Sequence, residues 1–151
     1  MAMRKASKPR VARTPEFVLD GSVALAWCFP DETAAYPQVV LDSLAGARAV
    51  VPSLWHLEVG NSLLVGERRQ RCTQADVASW IVFLNGLPIT VDDETATRAW
   101  SDVLSVARMQ NLSVYDAAYL ELALRRGLAL ATLDDKLKDA AAAAGVAEYK
   151  P

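Results

Sequence analysis

Short apolar segments alternate with longer helical segments along almost the whole chain. The apolar segments have the length of buried β-strands and lie at residues 17–19, 49–51, 89–91 and 128–131, with a last edge strand near 147–149. Strands that are separated by helices pair in parallel, because a parallel pair needs a long crossover connection. A parallel sheet is covered by helices on both of its faces. The chain is therefore predicted to form an α/β fold with a mostly parallel central sheet.

The intervening segments have helical periodicity and recognisable end signals. Thr73 with Asp76 has the spacing of an N-terminal capping box, Ser113 precedes another helix, and Gly127 ends it. The predicted helices cover residues 23–29, 34–44, 53–70, 74–86, 95–109, 114–127 and 134–144. In the third of these, the residues expected to face the core are Leu54, Leu57, Val59, Leu63 and Leu64.

The composition fits one globular domain. The 151 residues are 52% hydrophobic, enough to bury a core, and no apolar run reaches the length of a membrane span. Residues 1–15 hold five basic and no acidic residues, whereas the remainder has a net charge of −7. We therefore expect a flexible basic segment over 1–15 and a single domain over 16–151. No apolar stretch follows the basic start, so a secretory signal is not expected.

The cysteines indicate the compartment. Cys28 and Cys72 are isolated and lack the spacing of metal ligands. We predict reduced, unpaired thiols in a cytoplasmic protein, because disulfides belong mainly to oxidising compartments.

Four acidic residues occupy the ends of strands or the starts of helices. Asp20 follows the first strand, Glu58 lies early on the third helix, Asp116 lies in the first turn after Ser113, and Asp134 follows the strand at 128–131. In parallel sheets, ligands bind outside the carboxyl ends of the strands, near the point where the strand order reverses. All four acids are therefore expected at one end of the sheet.

Carboxylates that gather without basic partners repel one another, and a divalent cation removes that penalty. Hard carboxylate oxygens suit Mg²⁺ or Mn²⁺, which can activate water and bind a phosphodiester. The spacing alone leaves an alternative open, in which the acids are scattered helix caps. Asp20 fits an N-cap, and the capping pattern of Ser/Thr-x-x-Asp occurs three times, at Thr73/Asp76, Ser113/Asp116 and Thr132/Asp135.

The sequence lacks the residues that other kinds of active site require. His56 is the only histidine, and no cysteine pair accompanies it, so a zinc site is not indicated. The chain has no G-x-S-x-G for an acyl-transfer nucleophile and no glycine-rich loop of the nucleotide-binding types.

Three segments together resemble the PIN-domain ribonucleases, and most closely the VapC toxins of toxin–antitoxin pairs: "FVLDGSVALAWCFPDE", "PSLWHLEVGNSLL" and "LSVYDAAYLELALRRGLALATLDDKL". The similarity runs from about residue 17 to 149. It implies a compact three-layer α/β/α sandwich and Mg²⁺- or Mn²⁺-dependent endonucleolytic cleavage of RNA. The basic lead-in is longer than the family usually has.

The resemblance also implies roles for individual residues. Asp20, Glu58, Asp116 and Asp134 match the four acids of the family, and the neighbouring Asp135 leaves the register of the fourth acid open. Asp20, Asp116 and Asp134 would bind the metal, and Glu58 would be a ligand or a general base acting through water. The supporting shell would be formed by Ser22, Asn61 and Thr132.

Contacts with RNA and with proteins follow from the same resemblance. The best basic cluster for RNA phosphates is Arg68, Arg69 and Arg71, and Arg125 with Arg126 is second, although arginines at helix ends also favour the helix dipole. A small VapB-like antitoxin and a second copy of the chain are the expected protein partners. Two alternatives remain: a non-catalytic PIN-like binding module, and a PIN nuclease that acts on structured DNA or RNA outside a toxin–antitoxin system.

Overall fold

The computed structural model describes residues 12–31 and 33–151 and contains a parallel sheet at its centre. Within that part of the chain, the four strands are β1 (Glu16–Leu19), β2 (Arg48–Pro52), β3 (Ile89–Asp92) and β4 (Leu130–Ala131), in the order β3-β2-β1-β4. Every neighbouring pair is parallel, as predicted. The edge strand expected near 147–149 is reduced to one bridge between Leu130 and Glu148. Most of the predicted basic segment, residues 1–11, lies outside the described residues.

Eight α-helices connect or flank these strands in the described residues. They are α1 (Gly21–Cys28), α2 (Ala35–Ser43), α3 (Trp55–Arg68), α4 (Gln74–Asn85), α5 (Thr95–Arg98), α6 (Leu104–Gln110), α7 (Val114–Arg126) and α8 (Asp135–Ala143). Thr73 and Asp76 form the predicted capping box of α4. Gly127 ends α7 with a φ of 64°, a left-handed conformation that glycine adopts without a steric penalty. Over residues 12–31 and 33–151, no helix has the length and apolar character needed to cross a bilayer.

The core covers both faces of the sheet. Phe17, Val18 and Leu19 of β1 are all fully buried, although successive side chains of a strand point to opposite faces. Helix α7 packs against β1 and β2 and contributes the fully buried Tyr119. The Tyr149 ring stacks on Phe17 with a centroid distance of 3.8 Å, which holds the C-terminal segment against the core. These observations confirm the predicted three-layer α/β/α sandwich.

The buried face of α3 differs from the predicted one. Trp55, Val59, Leu63 and Gly66 are buried, whereas Leu57 is 79% exposed. The prediction for Leu57, and that for the exposed Leu64, is therefore wrong. The buried residues are three or four positions apart and share one side of the helix, while Leu57 is two positions from Val59 and points away.

The helix predicted over 95–109 is not continuous. A π-helical turn, Ala99–Val103, separates α5 from α6. A π turn holds an extra residue compared with an α turn, so the residues on either side change their position around the helix axis. Val103 and Ala107 consequently reach the core, while Trp100 is exposed to solvent.

An ion-pair cluster connects α7 to the end of β3. The Arg125 guanidinium donates to Asp92 Oδ1 at 2.8 Å, to Glu121 Oε1 at 2.9 Å and to Glu94 Oε2 at 2.8 Å. The neighbouring Arg126 donates to Glu16 Oε2 at 2.8 Å. Both arginines are thus paired with acidic residues of the fold, which makes them less available to RNA phosphates than the sequence suggested.

Candidate active site

The strand order places a candidate site between β1 and β4. From β1 the order continues through β2 to β3 on one side, while β4 lies on the other side, so the carboxyl ends of β1 and β4 border a switch point. Asp20 follows β1 and donates its backbone N–H to Ala131 O at 2.9 Å. Thr132 and Asp134 follow β4. Two stretches that are more than 100 residues apart in sequence thus meet at one end of the sheet.

Two hydroxyl groups hold the Asp20 carboxylate. Ser22 Oγ donates to Asp20 Oδ2 at 2.7 Å, and Thr132 Oγ1 donates to the same oxygen at 2.8 Å. The residue is only 9% exposed, yet the carboxylate makes no hydrogen bond that caps α1. The interpretation of Asp20 as a side-chain helix cap is therefore wrong. Ser22 and Thr132 occupy the supporting positions that the sequence predicted.

The other oxygen of Asp20 is left available. No described residue donates a hydrogen bond to Oδ1. A carboxylate with one oxygen fixed by hydroxyls and the other without a described donor is oriented for a cation or a water molecule.

Asp134 and Asp135 have different environments. Asp134 is the N-cap of α8: its Oδ1 accepts from Leu137 N–H at 3.0 Å, and its own N–H donates to Thr132 Oγ1 at 3.0 Å. Thr132 therefore links Asp134 to Asp20, while Asp135 is exposed. The Thr132/Asp135 capping pattern is not used, because α8 is capped by Asp134. This geometry favours Asp134 over Asp135 as the fourth acid.

Glu58 and Asp116 are influenced by the charges around them. Burial, followed by the charges of Asp134 and Asp20, raises the pKa of Asp116. Burial also raises the pKa of Glu58, and the charges of Asp20 and Asp116 add to this effect. Asp20 and Asp134 are thus close enough to Asp116, and Asp20 and Asp116 close enough to Glu58, for their charges to act on these two carboxyls.

Tyr119 is a member of the site that the sequence did not reveal. Its hydroxyl donates to Glu58 Oε1 at 2.7 Å, and the tyrosine is completely buried. Burial and the adjacent carboxylates raise the pKa of Tyr119 well above its usual range, so the phenol stays protonated and acts as a donor. Asn61, which the resemblance places in the supporting shell, is exposed and makes no hydrogen bond to Glu58. The available signal was the spacing in "YDAAY", which puts Tyr119 one helical turn after Asp116.

Substitution Tyr119→Phe is expected to lower the free energy of unfolding by about 1 kcal/mol, because one buried hydrogen bond is lost without a change of shape. The bond to Tyr119 lowers the pKa of Glu58, so its loss should raise that pKa further. Urea unfolding and a carboxyl-carbon NMR titration in metal-free buffer measure the two effects. The exposed Tyr115→Phe is the matched control and should change neither quantity.

The donor set fits a hard divalent cation, although the described side chains are not assembled around one. Across residues 12–31 and 33–151, no three His, Cys, Asp or Glu side chains form a group that could hold a metal ion as they stand. The fit lies in the chemistry of the donors: all four acids offer oxygen, two have raised pKa values, and Oδ1 of Asp20 is free. A cation would offset the burial and the mutual repulsion that raise those pKa values.

The predicted RNA-binding arginines lie at the end of α3 and just after it. Arg71 pairs with Asp31 at 2.9 Å and lies over the Phe29 ring at 4.4 Å, so the fold already occupies it. Arg68 and Arg69 are exposed and form no ion pair with a described residue. Arg69 lines a groove between α1 and α3, together with Arg71.

The cysteines are unpaired within the described residues, as predicted. Cys28 is buried, and this burial raises the pKa of its thiol to about 11.

The chain matches one family model and several solved structures. The family model is described as "PIN domain" and matches residues 17–143. PAE2754 from Pyrobaculum aerophilum is 24% identical, with 83% of this chain and 86% of that chain covered and a TM-score of 0.62. VapC20 from Mycobacterium tuberculosis, described as a sarcin–ricin loop cleaving toxin, is 17% identical, with 89% and 99% covered and a TM-score of 0.56. FitAcB from Neisseria gonorrhoeae is 20% identical, with 89% and 97% covered and a TM-score of 0.51. No curated protein sequence matches the chain.

Proposed function

This chain belongs to the PIN-domain family, a family of nucleases, and from that premise we propose that it is a divalent-metal-dependent endoribonuclease that hydrolyses RNA phosphodiester bonds. The observation that carries the proposal is the Asp20 carboxylate, fixed through one oxygen and free at the other, among three further acids. We also propose that the protein is a VapC-type toxin of a toxin–antitoxin pair.

The acids have separate tasks in this proposal. Asp20, Asp116 and Asp134 would hold Mg²⁺ or Mn²⁺, and Glu58 would accept a proton from the attacking water or serve as a further ligand. When bound, the cation would lower the pKa of the attacking water and offset negative charge on the phosphate. Ser22 and Thr132 orient Asp20, and Tyr119 orients Glu58. Asn61 is proposed to contact the substrate or an ordered water, since it is exposed near Glu58.

Protein partners are proposed on separate grounds. A second groove, of about 460 Å³, lies between α3 and α4 and has a largely apolar lining. The exposed Ile81, Val82 and Phe83 of α4 extend the apolar surface nearby, which supports binding of a VapB-like antitoxin or a second copy of the chain. The unpaired cysteines and an RNA substrate favour a cytoplasmic location.

Digestion of matched RNA and DNA oligonucleotides tests the proposed reaction. With Mn²⁺ or Mg²⁺, the purified protein, freed of any antitoxin, should cut single-stranded RNA at internal positions, and EDTA should abolish cleavage. The DNA strand of the same sequence should remain intact.

Preferential cutting of DNA would contradict the RNA assignment. Failure to cut either polymer in a pool of varied sequences would contradict the catalytic proposal. That second result would favour a non-catalytic PIN-like binding module.

A further inference from the structure

Two grooves lie on opposite sides of α3, and their chemistry differs. The α1–α3 groove has a volume of about 420 Å³ and the α3–α4 groove about 460 Å³. The charged side chains that line the α1–α3 groove are Arg69 and Arg71, and no acidic residue lines it. The α3–α4 groove is lined instead by an acidic residue, Glu67, and by His56. Only the α1–α3 groove has the positive charge that a polyanion requires.

The α1–α3 groove also begins at the candidate active site. Ser22, whose hydroxyl donates to Asp20, is one of its lining residues. Leu133, between Thr132 and Asp134, and Asn61, one helical turn after Glu58, line it as well. The groove therefore lies beside the residues that surround the acids, next to the bond that the acids would cut.

The lining suits an unpaired nucleotide. Its apolar part is formed by Leu25, Ala26, Val65 and Leu133, with the largely buried Phe29 ring under Arg71, while Asn61, Ser62 and Ser22 add amide and hydroxyl groups. An apolar wall with a few polar groups accepts a base only when the base is unstacked and unpaired. Two arginines line the groove. Arg71 is neutralised by Asp31, whereas Arg69 forms no ion pair with a described residue.

We propose that the α1–α3 groove binds a single-stranded RNA segment next to the scissile bond, with an unpaired base against the apolar wall and a phosphate at Arg69. This inference takes its ligand from the proposed function and extends it to strand structure and to a particular contact. The other predicted arginines have lesser roles: Arg71 is held by Asp31 and Phe29, and Arg68 does not line the groove.

Binding to an uncleaved ligand tests the groove. Fluorescence anisotropy with a labelled single-stranded RNA is measured on the Asp20→Asn protein, with and without Arg69→Ala, over a series of salt concentrations. Arg69→Ala should weaken binding about tenfold, the effect of one charged hydrogen bond. The slope of log affinity against log salt should fall by about 0.7, the value for one phosphate contact on a single strand.

Arg48→Ala is the matched control, because it removes the same charge from an exposed residue at the opposite end of the sheet. It should leave the affinity within about twofold, since exposed charges beyond about 10 Å are largely screened at 0.1 M salt. The same RNA annealed to its complement should bind more weakly than the single strand and lose its dependence on Arg69.

Two results would overturn the inference: equal effects of Arg69→Ala and Arg48→Ala, or equal binding of single-stranded and duplex RNA. Either result would indicate that the groove binds a protein partner and not RNA. Because the assay needs no cleavage, its outcome is separate from that of the proposed function. If the protein binds single-stranded RNA through Arg69 but never cuts it, the proposal for the groove stands and the proposal of nuclease activity is contradicted.

Discussion

Asp20→Asn is expected to reduce RNA cleavage by more than about 100-fold while the fold remains intact, because even residues that only orient metal ligands commonly contribute 10- to 100-fold. Asparagine has nearly the same shape, and its amide oxygen can still accept from Ser22 and Thr132. The substitution removes the negative charge of the carboxylate and replaces one of its two oxygens with an amide nitrogen. The measurement is cleavage of a fluorogenic RNA at saturating Mn²⁺, with circular dichroism as the check on folding.

The matched control is Asp135→Asn. It makes the same chemical change at the same end of the sheet, but Asp135 is exposed and caps nothing in the described structure. Its cleavage rate should stay within about twofold of the unmodified protein, as for a surface substitution remote from binding contacts. Comparable activity of Asp20→Asn and the unmodified protein would contradict the proposed role of Asp20.

The same substitution should change the titration of the neighbouring acids. The charge of Asp20 contributes to the raised pKa values of Glu58 and Asp116. Removing that charge should lower both pKa values toward those of free carboxyls. This result, measured without metal, would show that Asp20 interacts with Glu58 and Asp116 independently of any activity assay.

The position of Asp20 could be predicted because its signals are local. A short apolar run identifies β1, and the alternation of strands and helices implies a parallel sheet whose carboxyl end holds the site. The same rules located Asp134 after β4, whereas the supporting role of Thr132 followed from the family resemblance. The order β3-β2-β1-β4, which brings the two strand ends together, depends on packing between distant segments, and the sequence left it open.

Contacts between distant residues account for most of what was missed. Tyr119 and Glu58 are 61 residues apart, and no periodicity relates a tyrosine on α7 to an acid on α3. Arginine is generally favoured at the C-terminal end of a helix, so the pair at the end of α7 could be explained without knowing its partners. The acidic partners on and near β3 are distant in sequence and could not be predicted from that rule. Apolar residues such as Leu57 were assigned to the core by composition, while the helix geometry turned them outward.

Arg125→Ala should produce the largest loss of stability, about 3 kcal/mol in the free energy of unfolding. The Arg125 side chain is 15% exposed, and its partners Asp92 and Glu121 are 8% and 6% exposed. Removing the guanidinium leaves two largely buried carboxylates without their cation, which costs more than the loss of the pair itself. Urea unfolding at pH 7 measures the change, and Arg125→Met, which keeps an aliphatic stem, separates the charge from the packing.

The effect should depend on pH in a defined direction. Burial alone would raise the pKa of Asp92, but the hydrogen bonds and charge of Arg125, with Glu94 N–H and Arg126, lower it. A lowered folded-state pKa gives stabilisation that is present above the unfolded-state pKa, about 3.9, and is lost as the pH falls through the folded value. The difference between the unmodified protein and Arg125→Ala should therefore be largest near neutral pH and shrink as the pH falls through the unfolded-state pKa toward the lowered folded-state value.

Arg126→Ala distinguishes this account from a general effect of removing positive charge. Arg126 is 34% exposed, bonds to Glu16 near the surface and lies 3.9 Å from Asp92. An ion pair of that exposure contributes less than about 1 kcal/mol, so its removal should have a small and weakly pH-dependent effect. Equal losses for the two alanine variants would mean that the carboxylates of the cluster stay solvated without Arg125. The cluster would then be a surface feature and not the connection that holds α7 against the end of β3.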